Sequence, residues 1–341
     1  MNRKELIQKI EKERDSKVIT YITGDRQGPT SGRVAMDIIP IVSQQLRKIG
    51  KVKNIDLFLY STGGDTMVPW RLVSMIREYC DKFSVIIPYK AHSAATMISL
   101  GADEIVMSDL SELSPIDPST TNAFNPQDKN SPQGNKIPIS VEDVISYFDL
   151  AKNKFEIKSD ENLTRVFNKF IEADPQIHPL ALGNVNRTHN LIRRLAERLL
   201  ESHNSPMEQK EIKEIVEYFT EKLYSHQYYI GRKEAKKDLG VKTIIEASNS
   251  SADLMSELYE TYKEEMNFGL VWNPEVEIEN NSEIKKEYKI AFVENVDQSN
   301  YFNIEIEFKR EQVNVPQQTP QGVVQVSQQQ VQWRVVGQGW K

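Results

Sequence analysis

The sequence predicts an α/β protein: a layered parallel sheet with helices, then a helical extension, then a small C-terminal β-rich region. Three observations carry this. Over the first ~110 residues, short β-branched and aromatic runs alternate with segments of helical apolar period, the pattern of parallel strands joined by crossover helices. From Ser140 to about Tyr262, apolar residues recur at three and four positions, so this stretch is helical. Beyond Trp272 the texture changes to residue-by-residue alternation, the mark of antiparallel strands with one face buried.

Taken in order, residues 1–17 read as a charged surface helix, and Val18–Thr23 has the β-branched and aromatic content of a strand. Gly24 and the Gly28-Pro29 pair end it. Ile38, Val42, Leu46 and Ile49 mark a helix within residues 33–49, with Pro40 at a kink or at the true start. Ile55–Tyr60 is a strand buried on both faces, and residues 66–80 are helical with Pro69 in the first turn. Phe83–Ile87 is a third strand, Ser93–Leu100 a small-residue helix and Glu104–Met107 a fourth strand. Asp109 to Asn135 is rich in Ser, Pro, Asn and Asp and reads as a long loop. Helices follow over Val141–Phe155, Asn162–Ile171, Asn190–Leu200, Glu208–Leu223 and Ala252–Tyr262. Val276–Glu279, Tyr288–Val293 and Tyr301–Phe308 alternate and read as strands of a small accessory domain. The Gln-rich end, with Pro316 and Pro320, reads as flexible or ordered by a partner. The expected organisation is therefore a helix at 1–17, a main domain at 18–265, a β-rich region at 270–311 and a tail at 312–341.

Composition narrows the function. The 341 residues are 27% charged and 39% hydrophobic, which excludes wholesale disorder and collagen-like repetition. A formal net charge of -6 argues against general nucleic-acid binding, which needs a surplus of Lys and Arg in one place. The one cysteine, Cys80, leaves no disulfide or zinc knuckle to build and fits a reducing compartment. With no apolar run near the roughly 18–20 residues of a membrane span and a charged N-terminus, the sequence predicts a soluble, cytoplasmic protein with no membrane span.

Two turns have the composition for chemistry. Ser61-Thr62-Gly63-Gly64-Asp65 lies between a buried strand and a helix, where paired glycines let backbone amides approach a ligand oxygen. That turn suits a phosphate cradle, an oxyanion hole or simply a tight chain reversal; neither GxxxxGK[ST] nor GxGxxG is present. Lys90-Ala91-His92-Ser93-Ala94-Ala95 puts a serine at a helix N-terminus, the position of a nucleophile and equally of an ordinary N-cap. His92 stands next to it, but neighbours in an extended turn point apart. Both turns follow successive parallel strands at the carboxyl edge, where α/β sheets bind ligands.

STGGD at 61–65, AHSAATMISLGADEIVMS at 91–108, LSPIDP at 113–118 and IGRKEAKKDLGV at 230–241 are collinear, and together they resemble the serine dehydrogenase proteinase family. Its fold is shared with the Clp protease proteolytic subunit, signal peptide peptidase A and the crotonases. The resemblance covers about residues 18–245 and implies that Ser93 is a nucleophile, that Gly63, Gly64 and Ala94 supply oxyanion-hole amides, and that 230–241 closes the structural repeat. Where the Clp subunit carries its histidine, this sequence reads Leu113-Ser114-Pro115-Ile116-Asp117. Relatives of signal peptide peptidase A type use a downstream lysine, which makes Lys136 the preferred base ahead of Lys152 and Lys154. A lysine acts as a base only when neutral, which burial favours, and Ile137 and Ile139 flank Lys136. Asp117 is placed to orient a base or to form the turn before Pro118. The resemblance implies a peptidase acting on protein or peptide substrates, needing no cofactor and no metal, and assembled as a homo-oligomer. An acyl-thioester hydrolase of crotonase type and an inactive scaffold are the other readings of the same fold.

Overall fold

The structure is a computed structural model and describes residues 1–116, 119–128, 135–172, 177–223, 225, 227–237, 240–319 and 322–341; of 119–120, 314–319 and 322–325 only the backbone is described. The chain opens with α1 (Arg3–Arg14), started by a capping box between Asn2 and Glu5, and β1 (Lys17–Thr23). There follow α2 (Ile38–Ile49), β2 (Val52–Tyr60), α3 (Val68–Arg77), β3 (Cys80–Ile87), the short β4 (Lys90–Ala91), α4 (Ala94–Leu100) and β5 (Glu104–Met107). Pro40 sits in the first turn of α2, so it marks a helix start rather than a kink. The strands begin earlier than their apolar runs because their first residues are polar and partly exposed.

β1, β2, β3 and β5 are parallel neighbours, and side chains alternate between two cores. Ile19, Tyr21, Leu57, Leu59, Val85 and Ile87 join the larger cluster with α2, α3 and α4, whereas Val18, Ile22, Phe58, Tyr60 and Ile86 face α1 and the helix at Asn249–Glu265. Burial on both faces explains why these strands read as continuous apolar runs.

Within the long loop are β6 (Glu112–Leu113) and β7 (Ser119–Thr120), and β8 (Ile139–Ser140) follows it. The helical extension is α5 (Val141–Asp149) continued by a π turn at 150–154, α6 (Asp160–Ile171), α7 (Pro179–Glu201) and α8 (Gln209–Glu217) continued by a π turn at 218–222. Next come β9 (Ile230–Gly231), α9 (Arg232–Lys237), β10 (Ile244–Glu246) and α10 (Asn249–Glu265). β10 extends the main sheet beside β5, while β4, β6 and β9 form a separate small sheet. No helix among the described residues is long and apolar enough to cross a membrane.

The C-terminal region differs from its expectation in three ways. Val276–Glu279 lies in and just after a helix, α11 (Pro274–Ile278), because the Asn273 side chain accepts the Glu275 N–H and Pro274 occupies the first turn. β11 (Glu283–Glu294), β12 (Ser299–Thr319) and β13 (Gly322–Trp340) are antiparallel as expected, but they continue the central sheet, since β11 pairs with the free edge of β1 from Thr20↔Glu294 to Thr23↔Ala291. The Gln-rich end is strand, held in register with β12 from Thr319↔Gly322 to Phe302↔Trp340.

Candidate active site

The two glycine- and serine-bearing turns are tied together by a parallel bridge. The Ser61 N–H donates to the Lys90 carbonyl at 3.0 Å and the His92 N–H to the Ser61 carbonyl at 3.0 Å. Beneath the bridge the buried Ser61 hydroxyl accepts from Thr23 Oγ1 at 2.8 Å and from the Gly63 N–H at 3.1 Å. On the other side Val34 lies alongside as a one-residue strand: its N–H donates to the Gly63 carbonyl at 2.9 Å, and its carbonyl accepts the Asp65 N–H at 2.8 Å.

The glycines are required by space and by backbone. Gly63 has φ 106°, and a Cβ there would lie 2.8 Å from the Ser93 Cβ and 3.0 Å from the His92 carbonyl oxygen. Gly64 has φ 155°, and a Cβ there would lie 2.2 Å from the Val34 carbonyl oxygen. Without side chains, the Gly63–Gly64 backbone runs directly past Ser93.

Ser93 has φ 50° and ψ -112°, outside the regions that non-glycine residues favour, at the start of an α4 whose residues are all buried. Its neighbours fix it there. The Ser93 N–H donates to the Ser114 hydroxyl at 2.8 Å, and the buried Thr96 hydroxyl donates to the Ala91 and Ser114 carbonyls at 2.7 and 3.0 Å. Thr96 also accepts the Ser114 N–H at 3.1 Å, which locks the loop after β6 onto the first turn of α4. Ser93 is not a side-chain N-cap: among the described residues its hydroxyl makes no hydrogen bond, and the N–H groups of Gly64 and Ala94 donate none. A partly exposed hydroxyl therefore sits beside two amides free to donate, at the N-terminus of a helix, an arrangement able to hold an acyl oxygen as it becomes negative.

His92 points elsewhere. Its Nε2 lies 3.0 Å from Glu112 Oε1. Burial raises the Glu112 pKa above the ordinary carboxyl value, and the Lys90 charge offsets part of that. Lys136 stands in a local hairpin, bridged to Gln127, with the Asp128 N–H on the Asn135 carbonyl and the Ile137 N–H on the Pro126 carbonyl, each at 2.8 Å. The Asn125 amide braces it through the Ile137 carbonyl at 2.9 Å. The Lys136 ammonium is half-buried and joins no hydrogen bond or ion pair among the described residues, Ser93 included. The flanking residues do not enclose it as the sequence suggested, for Ile137 is 36% exposed and Ile139 half-buried. Lys152 and Lys154 are exposed on the π turn after α5. Asp117 lies outside the described residues.

Sequence reasoning passed over Ser114, Thr96, Ser61 and Val34. Ser114 stood in the LSPIDP motif without a role, Ser61 opened the glycine turn, and Thr96 was one turn into the serine helix. Nothing local in the sequence pointed to Val34, which reaches the glycines only through the fold.

Residues 1–136 match the family of ClpP-like SDH-type serine proteinases, the same family the sequence resembles. Two uncharacterised proteins of Methanocaldococcus jannaschii are 28% identical over 121 residues and 29% identical over 123, or 34% and 35% of this chain. In each case the match covers 42% of the length of the relative. Among solved structures, ClpP1 from Listeria monocytogenes is similar at 16% identity and a TM-score of 0.36, over 70% of this chain and 97% of that one. A membrane-bound stomatin-specific protease, 1510-N, is similar at 14% identity and a TM-score of 0.38, over 74% and 86%. A methylmalonyl CoA decarboxylase is similar at 10% identity and a TM-score of 0.25, over 57% and 95%.

Proposed function

We propose that this chain is a serine peptidase in which Ser93 is the nucleophile, the Gly64 and Ala94 N–H groups bind the oxyanion, Gly63 allows the close approach, and Lys136 is the general base. The observation that carries the reading is Ser93 itself. A non-glycine residue held at φ 50° by its surroundings, with an unengaged hydroxyl beside unengaged amides, stores strain that a merely structural serine has no use for. Ser93 Oγ attacks the peptide carbonyl and passes its proton to a neutral lysine amine. The tetrahedral oxyanion collapses, the new amine leaves with that proton, and the ester remains on Ser93. Water, deprotonated by the same lysine, attacks the ester and releases the acid, and Oγ regains its proton. Side chains, backbone amides and water complete this cycle. The reading requires Lys136 to reach Ser93 in the substrate complex, where catalytic hydrogen bonds commonly tighten.

Protein or peptide substrates and a homo-oligomer belong to the same proposal. α6 buries none of its residues within the chain, and its Phe167 and Phe170 rings gather with Tyr147 and Phe148 of α5 in an outward-facing aromatic patch fit for a second subunit. Light scattering checks this, and a strict monomer refutes it.

Intact-mass labelling with a fluorophosphonate, from about pH 6 to 10, tests the chemistry. The expected result is one adduct that is lost in Ser93→Ala, slowed in Lys136→Ala and faster as pH rises. An adduct that persists in Ser93→Ala removes the nucleophile assignment. A pH profile unchanged by Lys136→Ala removes the base.

A further inference from the structure

The loop that holds the glycine turn is itself supported from outside residues 1–136, the part that matches the family. Val34, which clamps Gly63 and Asp65 through the main chain, ends a loop that starts at Gly24 on the carboxyl end of β1. That loop meets the C-terminal segment at Gly24, Arg26, Gly28 and Gly32. The Gly24 N–H donates to the Ile290 carbonyl at 2.8 Å, and Ile290 is the extra residue of a bulge in β11, where the register with β12 shifts between Lys289 and Ala291. Gly28, at φ 82°, lies under the Trp272 ring, 3.0 Å from where its Cβ would be. A Cβ on Gly32 would lie 2.1 Å from the Ile290 oxygen.

Between these contacts is an ion pair of two buried side chains. Arg26 Nη2 is 2.5 Å from Glu277 Oε1, and the Arg26 guanidinium also donates to the Leu270 carbonyl at 3.2 Å and the Val271 carbonyl at 3.5 Å. Glu277 takes a second bond from Tyr288 OH at 2.8 Å, with Lys286 Nζ 3.8 Å away. Arg26 is 6% exposed and Glu277 9%. A buried ion pair adds little net stability over an apolar pair, yet losing one partner is costly, so its worth here lies in fixing one conformation of the loop.

We infer that Glu277 and Arg26 are positioning residues for the oxyanion turn: the C-terminal segment sets the 24–34 loop through their ion pair, and the loop sets the Gly64 amide through Val34. This rests on the serine-peptidase reading for its consequence in rate, but the mechanical link is tested separately.

The experiment compares Glu277→Gln with the wild-type full chain in two readouts. In phosphonate labelling, the rate constant at Ser93 is expected to fall about tenfold, as for a displaced transition-state donor, while the fraction of molecules finally labelled stays at the wild-type level. A purely structural role would lower the labelled fraction and leave the rate of the folded molecules unchanged, which overturns the inference. In amide hydrogen exchange, peptides spanning 24–34 and 61–65 should both lose protection. Loss confined to 24–34 overturns the link whether or not the protein labels. A wild type that does not label at all refutes the peptidase reading alone and leaves the exchange result to decide the link. Should Glu277→Gln not fold, Arg26→Lys keeps the charge, loses the fork to Leu270 and Val271, and carries the same comparison.

Discussion

The turn that carries Ser93 and the hairpin that carries Lys136 are built to different standards. Ser93 is fixed by the Ser114 hydroxyl, by the Thr96 lock, by the parallel bridge to Ser61 and by two glycines with no room for a side chain. Lys136 hangs on main-chain bonds within its own hairpin and on Asn125, and its side chain touches no partner among the described residues. A strained residue persists only where its surroundings over-determine it, and a sheet buried on both faces does that for the serine. Lys136, the proposed base, has no such framework around its side chain.

Four changes break or sharpen this contrast. Lys136→Ala should have the largest effect on activity, about 10²–10⁴ in peptide hydrolysis for a lost general base. Its melting temperature should stay near the wild-type value, because the side chain makes no hydrogen bond or ion pair among the described residues. A lowered melting temperature would mean that the hairpin is part of the rigid layer. Gly64→Ala should cost about 10²–10³ in activity by displacing an oxyanion donor, and unlike Lys136→Ala it should also lower the melting temperature, since the new methyl meets the Val34 carbonyl. Ser114→Ala leaves the Ser93 N–H without its acceptor; labelling should slow about tenfold with substrate KM little changed.

The smallest effect is on stability in acid. Burial holds the His203 pKa below the ordinary imidazole value, against the hydrogen bond to the Leu100 carbonyl. The unfolded chain therefore takes up a proton below about pH 6.5 that the folded chain refuses, and stability falls as pH drops through that window. Asp103 acts lower down. Burial works against its ionisation, but the Arg77 fork and the N–H groups of Asn204 and Phe83 keep its pKa below the usual carboxyl range. Its contribution is present above the unfolded pKa of about 3.9 and is lost as pH falls through the folded one. Thermal melts from neutral to acid pH should show both steps, with the upper one smaller in His203→Gln, the remainder belonging to His189, whose pKa burial also lowers. A wild-type melting temperature that does not change between about pH 7 and 5 would contradict the buried neutral imidazole.

The parallel layer was legible because its strands are apolar on both sides. Ile55–Tyr60 and Phe83–Ile87 announce themselves, and only the polar residues before them, such as Asn54 and Lys82, escaped notice. The helix at Pro274–Ile278 was hidden by an alternation that mimics a strand, although Asn273 followed by Pro274 is a helix start in its own right. β13 reads as a tail because of its Gln content, although Val and Gln alternate towards Trp333 and Val is a strand former. Its conformation comes from pairing with β12, residue against residue, from Thr319↔Gly322 to Phe302↔Trp340.

The sequence by itself determined the alternation of strands and helices, the glycine pair and the serine at a helix start, because these depend on side-chain size, backbone freedom and apolar period over a few residues. Only the tertiary structure decided that Ser114 would receive the Ser93 amide, that Val34 would clamp the glycines and that Glu277 would hold Arg26. Those contacts join residues from 21 to 251 positions apart, and such pairs meet only after the sheet has brought its strand ends to one edge.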